Sequence, residues 1–339
     1  MRLLVFEFIT GGGLIKQPLP ASLLQEGYLM RNALLDDLRS IQGLEILLMQ
    51  DVRLSRHDVE LNIAWQIIMI SAHTDMQALL LTRQTEYDAV WLIAPETDGI
   101  LAFWCQYFSA QGKYLYTSGH AVVSQCQDKL ATTRLLQSAG IACVPSDKYA
   151  HSASYRKGSW VLKVNDSVGC DQVYLVQSEP DWQRVVAILQ DDKTYIIQPF
   201  IGGKSFSLSC LFYQGKAYYL CCNQQHINIE QQQFILTACT VNIQSKHQAD
   251  YQKICQKIAT ALPQLFGYAG IDLIVSKTGE ILVLEINPRL TTSYAGLKQA
   301  LGINIAELVL NLHNTQGLLN TPRNQQVRVN IDLHGAYAG

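Results

Sequence analysis

Residues 270–289 form two apolar segments joined by a short polar turn, and this pattern constrains the fold and chemistry of the chain most strongly. Runs rich in Ile, Val and Leu flank the turn Lys277-Thr278-Gly279-Glu280, which is the pattern of a β-hairpin. If pairing is symmetric about Thr278-Gly279, Asp272 lies directly opposite Glu285. Directly paired residues bring their Cβ atoms within about 4.5–5.5 Å, so two carboxylates meet on one face.

Such close carboxylates repel each other unless positive charge lies between them. Asn287 is two residues beyond Glu285 and therefore points to the same face. Two carboxylates and an amide oxygen suit a hard cation, Mg²⁺ or Mn²⁺, and Arg289 could bind a phosphate beside it. The Asp272–Glu285 pair alone would favour an ordinary solvent-facing hairpin, whereas the full set inside apolar strands favours a cation site.

Composition indicates a globular protein. The chain has 339 residues, of which 48% are hydrophobic and 16% charged, so it is long enough for two or three domains. Its net charge of -2 includes no long basic or acidic block, which gives no case for nucleic acid or an anionic membrane. No apolar run reaches the ~18 residues that span a bilayer. The nine scattered cysteines contain no CxxC pair, which indicates a protein of the reducing cytoplasm. Whether the chain forms a homodimer is left open.

The order of predicted elements indicates an α/β domain followed by an α+β region. In residues 1–120 strand-like and helix-like segments alternate, which predicts a Rossmann-like parallel sheet with helices on its faces. A helix over 121–138 follows, and short strands begin after it. We therefore predict domains over 1–120, 121–200 and 201–339.

Two lysines lie where they could meet a bound anion. Lys163 lies inside the strand pattern of residues 160–165, and a small polar loop over 165–170 follows it; such a loop can offer backbone N–H groups to phosphates. Lys129 lies in a helical pattern. Taken singly, each is better explained as a solvent-exposed lysine.

The segment Gln198-Pro199-Phe200-Ile201 ends one strand and leads into the next. Pro199 cannot donate to a sheet ladder, so pairing breaks there. Backbone groups left open beside Phe200 could bind the edge of an adenine, although a bulge between strands explains the segment equally well.

Together these features resemble the ATP-grasp superfamily over residues 120–300. The most specific match is Leu284-Glu285-Ile286-Asn287-Pro288-Arg289, preceded by Gly270-Ile271-Asp272. The resemblance implies an ATP-grasp fold with an N-terminal pre-ATP-grasp domain, and the cofactors ATP and Mg²⁺ or Mn²⁺. It also implies roles for the residues above: Lys129, Lys163 and the loop glycine Gly169 at the phosphates, Gln198, Pro199, Phe200 and Ile201 at the adenine, Asp272, Glu285 and Asn287 at the metal, and Arg289 with Lys163 in catalysis.

Two departures from the family pattern are visible. The loop after Lys163 carries only Gly169, where the family usually has several glycines. No acidic residue occurs in residues 202–207, where the family often has one for the ribose. The residue that binds the ribose is therefore left open.

Residues 6–13, 18–27 and 91–99 resemble a narrower group, the tyramine–glutamate ligases of methanofuran biosynthesis and their bacterial relatives. That resemblance implies an amide bond between the γ-carboxyl of L-glutamate and the amine of tyramine, formed through an acyl phosphate. Glu7, in an apolar strand, and Glu96, after a buried strand, are candidate substrate residues. A peptide or D-alanine-type ligase and a non-catalytic nucleotide-binding protein remain alternatives.

Overall fold

The computed structural model describes residues 1–54, 65–314 and 325–331. The strands within these residues are β1 Arg2–Glu7, β2 Glu45–Asp51, β3 Trp65–Ile70, β4 Ala89–Ile93, β5 Tyr114–Leu115, β6 Asp147–Lys148, β7 Trp160–Val164, β8 Val173–Val176, β9 Tyr195–Pro199, β10 Gly203–Tyr213, β11 Lys216–Glu230, β12 Gln233–Ile243, β13 Gly267–Ser276, β14 Ile281–Asn287 and β15 Val327–Asn330. The helices are α1 Ala21–Arg39, α2 Met76–Thr82, α3 Ile100–Ala110, α4 His120–Gln127, α5 Lys129–Ser138, α6 Glu179–Val186, α7 Gln248–Ala261, α8 Tyr294–Leu301 and α9 Ile305–Leu310. None of these helices combines the length and apolar character needed to cross a membrane.

The N-terminal region is a parallel five-stranded sheet in the order β3-β2-β1-β4-β5. The central strand β1 is buried on both faces, because its side chains alternate between two cores. Leu3 and Val5 pack in the core that includes α1, and Leu4 and Phe6 pack in the core that includes α3. The predicted Rossmann-like parallel sheet is confirmed.

The second sheet runs in the order β14-β13-β10-β11-β12-β8-β7-β9-β6, with β15 against β12. Where β12 meets β8, the recorded register is the single pair Gln233 and Tyr174. Strands β7–β9 and helix α6 also have a hydrophobic core of their own, which includes Leu162 and Trp182. They therefore form a lobe, although the exact domain boundaries stay a prediction.

Helix α1 connects the two halves of the molecule by packing on α8 and α9. At this contact the buried Asp37 carboxylate accepts a hydrogen bond of 2.7 Å from the Tyr294 hydroxyl. The pKa of Asp37 is raised because burial disfavours its charged form. This packing holds the carboxyl ends of β1 and β4 over the antiparallel sheet.

The single helix predicted over 121–138 is wrong, because the chain breaks it at Asp128. Asp128 has extended backbone angles (φ -77°, ψ 93°), and its side chain caps α5 by accepting from the Ala131 N–H. A capping aspartate ends one helix and starts another. The break makes Lys129 the first residue of α5. Helix α8 and strand β15 were not predicted.

Candidate active site

The hairpin β13–β14 places Asp272 directly opposite Glu285, as predicted from the sequence. Towards the turn the register differs from symmetric pairing by one residue, since Leu273 pairs with Val283. The skipped residue, Leu284, therefore forms a β-bulge between the turn and the carboxylates. The bulge restores the predicted register at the end of the hairpin that carries the chemistry.

Asp272 lies in a buried polar cluster. Its carboxylate accepts hydrogen bonds from the Asn287 amide at 3.2 Å and the Gln225 amide at 3.3 Å. Burial, and then repulsion from Glu285, raise its pKa to about 6. Glu285 is therefore close enough to destabilise the charge of Asp272, as the sequence implied.

Lys129 and Lys163 both approach Glu285. The Glu285 carboxylate lies 3.7 Å from the Lys129 Nζ and 3.6 Å from the Lys163 Nζ, and the two lysines are only 7% and 6% exposed. Burial lowers the pKa of Lys163, against the opposing effect of Glu285. Burial opposes ionisation of Glu285, yet Lys129, Lys163 and Arg289 bring its pKa below the ordinary value. Neither lysine is an ordinary solvated surface residue.

The position of Lys129 follows from the end of β7. Asn165 accepts a hydrogen bond from the Leu130 N–H at 3.0 Å and donates one to Asp128 at 3.0 Å. The Lys129 ammonium also donates to the carbonyl of Ser167 in the loop after β7. The capped start of α5 and the strand that carries Lys163 are thus joined, so the two ammonium groups converge.

The donor set on the hairpin fits a divalent cation. No group of three or more His, Cys, Asp or Glu side chains able to hold a metal occurs in the described part of the chain. Asp272, Glu285 and Asn287 nevertheless offer two carboxylates and an amide oxygen on one face, the ligands of hard cations. Burial and then Glu285 disfavour the charged form of Asp272 and raise its pKa, and a bound cation would offset both effects. A cation that arrives with a polyphosphate suits such an incomplete set.

The lysine pocket is the cavity of about 150 Å³ that contains Lys129, Lys163, Asp272 and Glu285. Its remaining wall is an apolar slot, built mainly by Val144, Val161, Pro199, Phe200, Ile201, Ile227, Phe234, Ile274 and Leu284. The segment over residues 198–201 is fixed in place: the Gln198 amide donates to the Ser146 hydroxyl at 2.6 Å, and the Phe200 N–H donates to the Ser159 carbonyl at 2.9 Å. The Phe200 N–H is therefore engaged within the protein, and the slot presents chiefly apolar surface.

Gly169 lies in the loop between β7 and β8 and lines three neighbouring cavities. Its φ of +60° is in the left-handed region, which favours glycine. Open space surrounds the position of a Cβ atom there, so the backbone conformation and not crowding accounts for the glycine. The loop separates the lysine pocket from the N-terminal region.

Arg289 is held by Glu96. The Arg289 Nε donates to Glu96 Oε2 at 2.9 Å, and the Arg289 Nη1 donates to the Leu290 carbonyl at 2.9 Å. Glu96 is buried, and its other oxygen has no hydrogen-bond partner among the described residues. Glu96, a sequence candidate for substrate binding, thus contacts the predicted phosphate-binding arginine; a direct role in substrate binding stays a prediction.

Glu7 lies at the end of β1, and the residues that follow it donate hydrogen bonds to its carboxylate. Its carboxylate accepts from the Ile9 N–H, the Thr10 N–H and the Thr10 hydroxyl, at 3.1, 2.6 and 2.6 Å. Burial raises the pKa of Glu7, and these donors act in the opposite direction. Gly27 packs against it, since a Cβ there would lie 2.8 Å from Glu7 Oε2.

Two further cavities lead away from the lysine pocket. The interdomain cavity, of about 650 Å³, lies between the N-terminal region and the antiparallel sheet and includes Glu7, Leu23, Met30 and Phe234 in its wall. The connecting pocket, of about 60 Å³, reaches from there to Asp272, Glu285 and Asn287 on the hairpin. The volume of the interdomain cavity is within the usual range for small-molecule sites.

Sequence reasoning included Glu26 in the resembling segment 18–27 but gave it no role, although it lines both the interdomain cavity and the connecting pocket. It lies on α1, where a lone glutamate in a helical pattern is indistinguishable from a solvated one. Only the packing of α1 against the residues after Arg289 reveals its position, where it accepts a hydrogen bond of 2.9 Å from the Thr292 hydroxyl.

An apolar slot lies beside two buried lysines and two opposed carboxylates, and this arrangement suits a nucleotide and its cation. The fold and the site together are those of one protein class, and sequence comparison agrees: residues 126–293 match the ATP-grasp domain family, and residues 44–123 match the pre-ATP-grasp 3 domain family. The chain belongs to the ATP-grasp superfamily. Members of this class use ATP and a divalent metal ion.

Individual relatives agree with this assignment. The chain is 26% identical over 331 residues to a tyramine–L-glutamate ligase from Methanocaldococcus fervens, covering 97% of this chain and 99% of that one. Among solved structures, an ATP-grasp superfamily protein from Archaeoglobus fulgidus has a TM-score of 0.71 at 19% identity, covering 97% and 92% of the two chains. An L-amino acid ligase from Bacillus licheniformis has a TM-score of 0.65 at 17% identity, covering 94% and 74%. At these identities the two structures show only that this chain shares their fold.

Proposed function

We propose that the protein is an ATP-dependent carboxylate–amine ligase that forms an amide bond and releases ADP. The observation that carries the proposal is the position of Glu285. It contacts Lys129 and Lys163, pairs with Asp272, and lines both the lysine pocket and the connecting pocket. Phosphate chemistry at this residue would therefore take place beside a second cavity large enough for substrates.

The lysine pocket would hold the nucleotide. Its apolar slot at Pro199–Ile201 suits the adenine, while Lys129 and Lys163 suit the phosphates. The loop around Gly169 would cover the phosphates. Ser205 and Gln225 also line the pocket and are the polar side chains we propose for the ribose.

Asp272, Glu285 and Asn287 would hold the divalent cation, for which we favour Mg²⁺, with Mn²⁺ as the alternative. The cation would offset negative charge on the triphosphate. Lys163 would spread the charge that develops on the phosphoryl group in transfer, and Arg289 would bind the resulting acyl phosphate. A carboxylate oxygen of the acid substrate would take the γ-phosphoryl group, and the amine would then displace phosphate from the acyl carbon.

For the substrates we propose L-glutamate, through its γ-carboxyl, and tyramine. The proposal is supported by the nearly full-length similarity to the Methanocaldococcus fervens ligase and by the interdomain cavity. That cavity combines apolar walls at Leu23, Met30 and Phe234 with the charges of Glu26 and Arg289. A phenyl ring with an amine suits such a lining.

The test is ADP release with a panel of acids and amines, with the product identified by mass. We expect ADP and γ-glutamyltyramine with L-glutamate and tyramine. Turnover of another acid–amine pair would contradict the proposed substrates and leave the proposed ligase activity standing. The panel therefore includes peptide and D-alanine substrates, since an L-amino acid ligase has a similar fold. Nucleotide binding without ADP release for every pair would contradict ligase activity and indicate a non-catalytic protein.

We also propose a cytoplasmic location, because all nine cysteines are free thiols and eight of them are buried. A homodimer stays a prediction, which light scattering of the purified protein would decide. The expected substrates are small molecules, so no nucleic acid or membrane enters the proposal.

A further inference from the structure

Glu26 and Arg289 are the charged side chains shared by the interdomain cavity and the connecting pocket, within the described residues. They border the passage from the large cavity to Asp272 and Glu285. A substrate in the interdomain cavity that reaches towards the phosphates must therefore pass one anionic and one cationic group.

The Glu26 carboxylate is only half engaged by the protein. Oε2 accepts a hydrogen bond of 2.9 Å from the Thr292 hydroxyl, and Oε1 has no partner in the described chain. Burial raises the pKa of Glu26, with Thr292 and Arg289 acting against it. An incompletely paired carboxylate in an enclosed site favours a cationic or hydrogen-bond-donating ligand.

The other two acids near the cavity differ from Glu26 in this respect. Glu7 receives three hydrogen bonds from Ile9 and Thr10, and Glu96 contacts Arg289 and lies outside the wall of the interdomain cavity. The amine of a substrate would have to displace protein donors at Glu7, whereas one oxygen of Glu26 is open to it.

We propose that Glu26 binds the amino group of the second substrate and accepts a proton from it. The inference deepens the proposed ligase function and rests on it. Arg289, across the same passage, would bind the acid substrate. The anionic Glu26 and the cationic Arg289 would therefore each bind the substrate of opposite charge. The apolar wall at Leu23, Met30 and Ile93 assigns the amine to a primary amine on an apolar or aromatic body.

The step balances with the groups named. The ammonium gives one proton to Glu26 and becomes a neutral amine with a free electron pair. The nitrogen forms a bond to the acyl carbon, and the bond from that carbon to the phosphate oxygen breaks. The second proton on nitrogen leaves with the phosphate as HPO₄²⁻, and Glu26 returns its proton to water.

The experiment separates acid activation from amine capture with the variant Glu26→Gln. Hydroxylamine is small and uncharged at neutral pH, so it can trap an acyl phosphate as a hydroxamate without a carboxylate partner. Hydroxamate formation from L-glutamate and ATP therefore reports the first half-reaction, and the tyramine KM reports amine binding. Glu45→Gln, at an exposed position of β2, is the matched control.

For Glu26→Gln we expect hydroxamate formation within about twofold of wild type and a tyramine KM raised about 10- to 100-fold, as for the loss of a charge-assisted hydrogen bond. The KM values for ATP and L-glutamate should stay unchanged, and Glu26→Asp should restore part of the amine affinity. The Glu45→Gln control should match the wild type throughout.

An unchanged tyramine KM in Glu26→Gln would overturn the inference. Equal loss of hydroxamate and amide would also overturn it, since Glu26 would then act on the acid or on the structure. If the wild type releases no ADP with any acid–amine pair, the proposed function itself fails, and that outcome is recognised without any variant.

Discussion

The lysine pocket and the interdomain cavity adjoin each other but are built in different ways. The reactive face of the lysine pocket comes largely from one hairpin, whose strand register sets Asp272 against Glu285. The interdomain cavity takes its wall from α1, the end of β4, the loop around Gly169, β12 and Arg289. Register is a short-range property of sequence, whereas the cavity exists only because α1 packs on α8 and α9.

The difference has a functional consequence. Chemistry encoded in a strand register can be kept while the surrounding segments change, because pairing depends on local alternation. A cavity lined by several separate segments can change its lining one segment at a time. We therefore expect variants in the lysine pocket to remove activity and variants in the interdomain cavity to change substrate affinity.

The largest effect is expected for Glu285→Ala. The variant removes a proposed metal ligand and leaves the buried Lys129 and Lys163 without their shared partner, so metal-dependent ADP formation should fall by at least about 10³-fold. The fold should persist, because core residues hold both strands of the hairpin. ADP release and circular dichroism measure the two properties.

Glu280→Ala, in the exposed turn of the same hairpin, is the control for Glu285→Ala and should behave as wild type. Undiminished activity of Glu285→Ala would refute the metal assignment. Loss of the folded far-ultraviolet spectrum would show instead that Glu285 is structural.

The next largest effect is expected for Lys163→Met. Removing a cation from the lysine pocket should weaken ATP use by about 10²-fold in kcat/KM. Thermal stability should change little, because burial already disfavours the charge on Lys163 and lowers its pKa, while Lys129 and Arg289 still stabilise the charge of Glu285. Lys148→Met, at an exposed position of β6, is the matched control, and an unchanged ATP kcat/KM in Lys163→Met would remove Lys163 from the nucleotide site.

Sequence alone predicted the parts of the fold that depend on local pattern. Alternating strands and helices predicted the parallel sheet, and the hairpin turn predicted the pairing of Asp272 with Glu285. The turn of the hairpin is shifted by one residue from the predicted one, and the bulge at Leu284 shifts the pairing back by one residue. Because these two departures cancel, the predicted pairing of Asp272 with Glu285 was correct partly by chance.

The rest depended on contacts that the sequence does not display. Lys129 is buried because Asp128 ends one helix and caps the next against Asn165, and a continuous helical pattern gave no sign of the break. Glu26 faces two cavities only because of tertiary packing. Glu96 was predicted from its place after β4, but its contact with Arg289 joins residues 193 positions apart.

Glu96→Gln tests how the lysine pocket and the interdomain cavity are coupled. The change removes the charge that holds the Arg289 Nε and leaves the burial largely unaltered. If Glu96 positions Arg289, the KM for the acid should rise about tenfold, with little change in the KM for the amine. If Glu96 instead binds the amine of a substrate, the KM for the amine should rise and the KM for the acid should change little, so the two KM values decide between these roles.

The smallest effect is expected for Glu7→Gln, which is a test of stability in the wall of the interdomain cavity. Gln offers one oxygen where Glu7 offers two to the donors of Ile9 and Thr10, so the variant should melt about 2–5 °C lower. Burial raises the pKa of Glu7 above 4.5 in the folded state, and the folded protein keeps this proton at pH values where the unfolded chain has lost it. Wild-type stability relative to Glu7→Gln should therefore fall as the pH rises from about 4.5 through the folded pKa. Melting temperatures of both proteins and of Glu45→Gln across this range measure the trend. A melting difference independent of pH would contradict the raised pKa. A clear change in the KM for the amine with little change in melting temperature would support the prediction that Glu7 binds substrate.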